Sequence, residues 1–380
     1  MAEVFYAHLP GYSPEKIDSA LRRVLQPCLD TCGGVRNKRV MIKPNFLEWK
    51  GADKPVCVSP ELLTALCRYL IDSGAAQVAV IENPAVRSAP VIVENMGIAG
   101  VLAELGVKVA NCENYQFIDM PQSCAFRRLE LALEYRDYDL VIDFAKAKTH
   151  AMMTLTLAVK NLFGLIRGSE RLGWHLAVGR DYKRFADMLL DIESVVSPHI
   201  SLVDAVVAME GNGPGSGTPV DLNFIACSTS ALALDASVAE KMGVNDLLLI
   251  SRAAERGLDT GFEDRGEVPE IRKITLPDPP QMGLEWGVYF PPKLREFLRR
   301  RMVARPEVDP HRCIGCGMCV KMCPPASLKL VDGKPVFKLN ECIRCFCCQE
   351  HCPAGAIISR KTGFMKFADK FEKFIRKIIR

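Results

Sequence analysis

Cys313-Ile-Gly-Cys316-Gly-Met-Cys319-Val-Lys-Met-Cys323-Pro324 decides how this chain is read, because its spacing returns as Cys342-Ile-Arg-Cys345-Phe-Cys-Cys348-Gln-Glu-His-Cys352-Pro353. Each copy is C-x2-C-x2-C-x3-C-P, a spacing that holds cubane iron–sulfur clusters. Three thiolates on one short loop can wrap one face of a cluster, and the fourth is carried away to reach a second cluster. Cys313, Cys316, Cys319 and Cys352 are therefore expected to bind one [4Fe–4S] cluster, and Cys342, Cys345, Cys348 and Cys323 the other. Pro324 and Pro353 end each binding turn.

The doubled motif resembles the bacterial two-cluster ferredoxin module, over roughly residues 306–360. A zinc ribbon also uses paired C-x2-C, but it leaves the third Cys and the C-x3-C-P of each copy without a role. Cys347 fits no ligand position and reads as a small core residue.

Outward from the module, 380 residues allow two or three domains, and 49% apolar composition allows a large core. No apolar run reaches the length of a membrane span, and no signal peptide is evident at the N-terminus. Eight of the 16 Cys sit in the cluster motifs, which points to a reducing cytoplasm and a low-oxygen, anaerobic host. The net charge of +4 is uneven: residues 361–380 carry +5, and the rest of the chain about −1. The basic balance belongs to the tail, and no nucleic-acid partner is expected.

In chain order, short apolar strands are predicted at residues 3–9, 39–42, 77–81, 107–110, 139–143, 200–203 and 223–227. Helices are predicted from Ser13-Pro14 and Ser59-Pro60, each with an N-cap Ser and Pro at the first position. Further helices are expected at 91–105, 153–163, 180–196, 230–242 and 245–256. The alternation predicts an α/β domain over 1–260, a mostly parallel sheet with helices on both faces. A linker with a basic helix is expected at 261–305, a small α+β two-cluster ferredoxin-like domain at 306–360, and a basic amphipathic tail helix at 361–380. No G-x-G-x-x-G follows a strand, so a dinucleotide cofactor is not supported.

In open parallel sheets ligands bind beyond the carboxyl ends of the strands. Lys43 and Asn45 follow one predicted strand, Glu82 another, Lys146, Lys148 and His150 a third, and Asp204, Glu210 and Asn212 a fourth. Lys160 and Asn161 follow on a helix. Four Lys in one cleft favour an anionic small molecule, a carboxylate, phosphate or sulfur oxyanion. The Gly-rich run 210–217 reads as a backbone anion nest or a plain turn. Asp204, Glu210 and Asn45 offer oxygen ligands for a further metal. Whether another organic or metal cofactor is present is not legible.

Lys43-Pro-Asn45, Lys146-Ala-Lys-Thr-His150, Lys160-Asn-Leu-Phe-Gly164 and Asp204…Met209-Glu-Gly-Asn-Gly-Pro214 resemble the domain of unknown function 362 family over roughly residues 1–260. That resemblance implies an α/β domain distantly similar to the N-terminal part of lactate racemase-like proteins. It also implies that these polar segments form one site, without naming a reaction.

The functional expectation is an oxidoreductase that relays electrons through two clusters. The α/β site would bind its anion through Lys43, Asn45, Glu82, Lys146, Lys160, Asn161 and Asn212, with His150, Lys148 and Glu210 as catalytic groups. A redox partner protein, whether ferredoxin, flavodoxin or reductase, is implied. The alternatives are an electron carrier with a docking or sensing α/β domain, and a redox-neutral enzyme with structural clusters. The tail carries apolar residues at 364, 367, 371, 374, 375 and 378, a stripe suited to docking on the protein or to peripheral membrane contact.

Overall fold

The computed structural model describes residues 1–84, 87–168, 171, 174, 181–277 and 305–360. The chain opens with β1 (Ala2–His8), α1 (Pro14–Thr31), β2 (Arg39–Pro44), α2 (Pro60–Asp72) and β3 (Gln77–Glu82). It continues through α3 (Ala89–Asn95), α4 (Ala99–Glu104), β4 (Lys108–Asn111) and a side hairpin of β5 (Tyr115–Asp119) and β6 (Arg128–Ala132). Next come β7 (Leu140–His150), β8 (Thr154–Thr156), α5 (Ala158–Asn161), α6 (Tyr182–Val196), β9 (Ile200–Glu210) and β10 (Thr218–Ser228). α7 (Ala231–Lys241), α8 (Leu248–Glu255) and β11 (Phe262–Gly266) complete this domain.

The main sheet runs β11-β1-β10-β9-β7-β2-β3-β4, with β8 paired to β7. Its left half mixes directions, since β10 is antiparallel to both β1 and β9, while β9-β7-β2-β3-β4 are all parallel. Alternation along β7 puts Ile142 and Phe144 into one core and Val141, Ala145 and Ala147 into the other. The first core is closed by α1 to α4, through residues such as Leu21, Leu25, Leu62, Leu66 and Ile92. The second is closed by α5 to α8, through Phe185, Leu189, Leu234 and Leu249. Each such side chain contributes about 1.5–3 kcal/mol on burial, so the sheet is anchored from both faces. The α/β class with a mostly parallel, doubly covered sheet is what the sequence predicts.

Differences from the predicted elements have separate causes. The predicted strands at 139–143 and 200–203 stop at charged residues, whereas β7 and β9 run on for 11 residues each. The charges stay in the ladder because they are paired across it: Lys146 stands opposite Asp204 in the register. The helix expected at 153–163 is instead β8, the short α5 and a 3-10 turn at Leu162–Leu165. The helix at 91–105 divides into α3 and α4 around Gly97, which has φ 75°. The linker expected from 261 begins as a sheet strand, since β11 pairs in parallel with β1. The sheet thus extends past residue 260. Most of the expected basic helix lies outside the described residues, as does the tail helix at 361–380.

Arg305 opens the small C-terminal unit. β12 (Arg305–Val308) pairs with β15 (Ile357–Arg360), and β13 (Leu328–Val331) with β14 (Lys334–Phe337). Two one-turn helices, α9 (Met318–Lys321) and α10 (Cys347–Glu350), follow the two Cys loops. Its core is Cys319, Leu328, Cys348, Cys352, Ala356 and Ile357. A core this small needs the cross-linking that bound clusters provide.

Candidate functional site

The two Cys loops have the same backbone. Gly315 and Gly317 have φ of 70° and 72°, and the matching Arg344 and Phe346 have φ of 62° and 60°. A left-handed residue between successive cysteines curls each loop so that its thiols turn inward. Arg344 and Phe346 hold that conformation at a cost of about 1–2 kcal/mol each. Cys313, Cys316, Cys319 and Cys352 line one cavity. Burial pushes the Cys348 thiol up, and the nearby thiols Cys345, Cys342, Cys323 and Cys319 add to that push. Ser327 N donates to Cys323 Sγ at 3.3 Å and Ala356 N to Cys352 Sγ at 3.2 Å, matching bonds of the kind that tune a cluster's potential. Cys347 is buried in the small unit.

The α/β domain grips this unit at two carbonyls. Lys50 Nζ donates to Cys352 O at 3.1 Å and to Gly215 O at 3.0 Å. Tyr182 Oη donates to Arg344 O at 3.4 Å. Gly215 follows Pro214, which lines the second cavity of interest.

That cavity is an open cleft at the ends of β2, β3 and β7, lined by Asn45, Phe46, Leu47, Glu82, Lys148, Thr156, Lys160, Asn161, Phe163, Gly164, Arg171 and Pro214. Lys43 stands behind Glu82, its Nζ 2.6 Å from Glu82 Oε2, and both side chains are at most 3% exposed. Gly164 is required here: a Cβ on it would lie 2.7 Å from Lys43 Nζ. Lys148 Nζ donates to Asn45 Oδ1 at 2.6 Å and Val56 O at 2.7 Å. Asn45 Nδ2 donates to Asn161 Oδ1 at 2.8 Å, and Asn161 Nδ2 to Asp143 Oδ1 at 2.8 Å. This chain of amides runs from an ammonium at the cleft to a carboxyl in the core, so both amides have one orientation. Asp143 is fully buried, its Oδ2 has no partner, and burial outweighs Lys43 and Asn161 to push it up to about 7.

Five of the residues singled out in the sequence therefore meet in the cleft (Asn45, Glu82, Lys148, Lys160 and Asn161), with Lys43 directly behind. Four do not line it. Lys146 is tied to Asp204 at 2.7 Å and to the Tyr12 hydroxyl at 2.9 Å, and burial lowers its proton affinity. Asp204 also accepts from Ser59 N at 2.9 Å and Tyr12 Oη at 2.8 Å, so this pair knits β7, β9, α2 and the loop after β1. His150 Nδ1 accepts from Met152 N and Met153 N at 3.1 and 3.2 Å, which makes the ring a turn-former. Glu210 Oε2 accepts from Thr275 N at 2.8 Å, and Asn212 is half-buried beside it. Asp204, Glu210 and Asn45 each serve a different partner and form no common oxygen site.

Sequence reasoning missed Thr156, Arg171, Asp143, Tyr12 and Lys50. Thr156 stands opposite Lys148 in the β7–β8 ladder, hidden by the helix expected there; its buried Oγ1 has no partner. Arg171 donates to Asn83 O and Gly164 O, both at 2.6 Å, fixing the cleft's wall. The Gly-rich run is packed rather than flexible, since Gly213 lies against Thr149, where a Cβ would come within 2.7 Å of Oγ1.

Fold and cavities together define a two-part protein: a polar cleft on an α/β sheet, joined to a small unit that carries the eight motif cysteines. The chain belongs to the family of the domain of unknown function DUF362, whose model matches residues 40–240. A 4Fe-4S dicluster domain matches residues 305–353, so the chain binds [4Fe–4S] clusters and has an iron–sulfur electron-transfer role. It is 30% identical over 272 residues to the thylakoid-associated protein sll1697 of Synechocystis sp., covering 70% of this chain and 80% of that one. Among solved structures it is similar to the lactate racemase apoprotein of Thermoanaerobacterium thermosaccharolyticum, with TM-score 0.40, 16% identity and coverage of 61% of this chain and 55% of that one. A Thermotoga maritima protein gives TM-score 0.35 and 15% identity, with coverage of 56% and 55%. The chain thus spans just over half of each solved relative. No helix among the described residues is long and apolar enough to cross a membrane.

Proposed function

We propose that the protein is a ferredoxin-linked oxidoreductase, working in a reducing cytoplasm, whose two-cluster unit exchanges electrons with an anionic small molecule held in the α/β cleft. The carrying observation is Lys50, one ammonium that holds both the Cys352 carbonyl and the loop carbonyl next to Pro214 of the cleft. Cys313, Cys316, Cys319 and Cys352 are assigned to one cluster, and Cys342, Cys345, Cys348 and Cys323 to the other. When bound, each cluster stores one electron, so the pair matches a two-electron change in a substrate.

The chain's own residues supply the rest. Lys148, Lys160 and Arg171 make the cleft cationic, and the one carboxylate lining it, Glu82, is neutralised by Lys43. That balance favours an anion. The Thr156 hydroxyl and the Asn161 amide orient it, Phe46 and Phe163 exclude water from its apolar part, and Lys148 is the proton donor at the bound oxygen.

The test is an anaerobic, photoreduced holoprotein mixed with pyruvate, sulfite or nitrite, and with neutral pyruvamide. Cluster reoxidation is followed at visible wavelengths. The proposal expects at least one anion to drain the clusters faster than pyruvamide, and Lys148→Ala with Lys160→Ala to slow that drain about a hundredfold. Equal rates in parent and variant, or no anion faster than pyruvamide, would overturn it.

A further inference from the structure

The two Cys loops share a backbone but not the residues that take it. Where the first copy has Gly315 and Gly317, the second has Arg344 and Phe346, at φ of 62° and 60°. Glycine adopts this conformation freely, and an arginine does not. Arg344 is also only 7% exposed, and burying a guanidinium adds a desolvation cost to the backbone one. The first copy shows that the loop closes with glycine at this position. The turn alone does not account for the arginine, so the account lies in where its charge sits.

That charge lies against the second Cys loop. Arg344 Nη2 donates to Leu339 O at 3.5 Å, so the side chain folds back along the turn that leads into Cys342, whose N–H donates to Lys338 O at 3.2 Å. Burial pushes the Cys342 thiol up, and Arg344 opposes that push twice, through its backbone N–H on the sulfur and through its charge. The Arg344 carbonyl accepts from Tyr182 Oη at 3.4 Å, so the α/β domain holds the residue in place. Around it Cys342, Cys345, Phe346 and Cys348 are all buried. In the other half Cys316 is exposed and Cys313 half-exposed. A lysine does stand there, Lys334 donating to Cys313 O at 2.9 Å, but it is exposed, where water and salt screen its charge. One-electron reduction adds a negative charge to a cluster. Burial disfavours that charge, and a cation held in the same low-dielectric surroundings favours it.

We infer that Arg344 is a tuning residue, whose buried guanidinium raises the reduction potential of the cluster held by Cys342, Cys345, Cys348 and Cys323. It offsets the burial that would otherwise keep that cluster oxidised beside its more exposed neighbour. An electron arriving at the exposed half can then pass to the buried half. This tuning rests on the cluster ligand sets of the proposed function and on nothing in the cleft. Its test uses no small molecule, so the two can fail separately.

The test is an anaerobic redox titration of the full-length holoprotein followed by EPR, with iron counted in every variant. Cys316→Ser changes a ligand of the exposed cluster alone and so tells the two signals apart. Arg344→Gly removes the charge and relaxes the turn, Arg344→Gln removes the charge and keeps a side chain at the left-handed position, and Arg344→Lys keeps the charge. The Gly and Gln variants should both make the buried cluster about tenfold harder to reduce, a fall of about 59 mV for one electron, with a smaller shift in the exposed cluster. The Lys variant should stay near the parent. Arg344→Gly is unstrained at this φ and should keep its full iron, so the comparison stands on at least one neutral variant. Equal potentials in the parent and the neutral variants, a Lys variant as low as the Gln one, or a shift confined to the exposed cluster would overturn the assignment.

Discussion

Glu82→Gln should be among the most damaging single changes in the α/β domain that alters no atom count. It leaves the Lys43 ammonium, 1% exposed, without its counter-charge. Removing one member of a buried ion pair costs about 3–5 kcal/mol, because the remaining charge is stranded. In a domain of this size that corresponds to a fall in melting temperature of roughly 10 °C. Lys43→Met combined with Glu82→Leu removes both charges. It should recover most of the loss, leaving the Asn83 N–H that had donated to Glu82 Oε1 at 2.8 Å and the Pro44 carbonyl that had accepted from Lys43 Nζ at 3.4 Å, each worth about 1 kcal/mol. The assay is thermal unfolding of the anaerobic holoprotein at neutral pH, with iron content checked in every variant. A single variant that melts within about 2 °C of the parent, or a double variant that melts below the single one, would refute the buried pair as described.

Gly164→Ala places a methyl group against the same pair and should destabilise by about 2 kcal/mol through overpacking, read in the same melting experiment. Asp143 gives a pH test. Burial raises its carboxyl from 3.8 to about 7, so between those values the folded state holds a proton that the unfolded state has released. Asp143 should therefore contribute a fall in stability of roughly 4 kcal/mol as pH rises from 4 to 7, beside the falls from Glu193, also raised to about 7, and buried Asp235, also raised. Asp143→Asn should make that slope shallower in denaturant titrations without abolishing it; an unchanged slope would exclude Asp143 as a source.

What the sequence reveals here depends on whether a residue's partners are near it in the chain. Cluster cysteines are legible because their loops place donors within a few residues, and the left-handed Gly315 and Gly317 are written in the first copy. Helix starts at Ser13 and Ser59 are legible for the same reason, although only Ser59 bonds its helix through its side chain. Charged strand residues are not. Lys146 and Asp204 read as loop residues at strand ends because their pairing, 58 positions apart, is a tertiary fact that lets both strands continue. His150 accepts from its own turn, whereas Glu210 accepts from Thr275, 65 positions on, a contact its motif does not show. The cleft residues that were missed are Thr156, placed by a hairpin register, and Arg171, placed by three carbonyls of its wall. Lys50 sits in an unremarkable loop, and only the position of Cys352 gives it meaning.

The coupling of cluster unit to cleft turns on that lysine, and Lys50→Met is the most direct measurement of it. The variant should retain about eight iron atoms and be photoreduced to the same extent as the parent. Its reoxidation by whichever anion drains the parent should slow about tenfold or more, because the Cys352 segment and the cleft loop are no longer held together. Unchanged reoxidation with full iron content would contradict the relay from the clusters to the cleft.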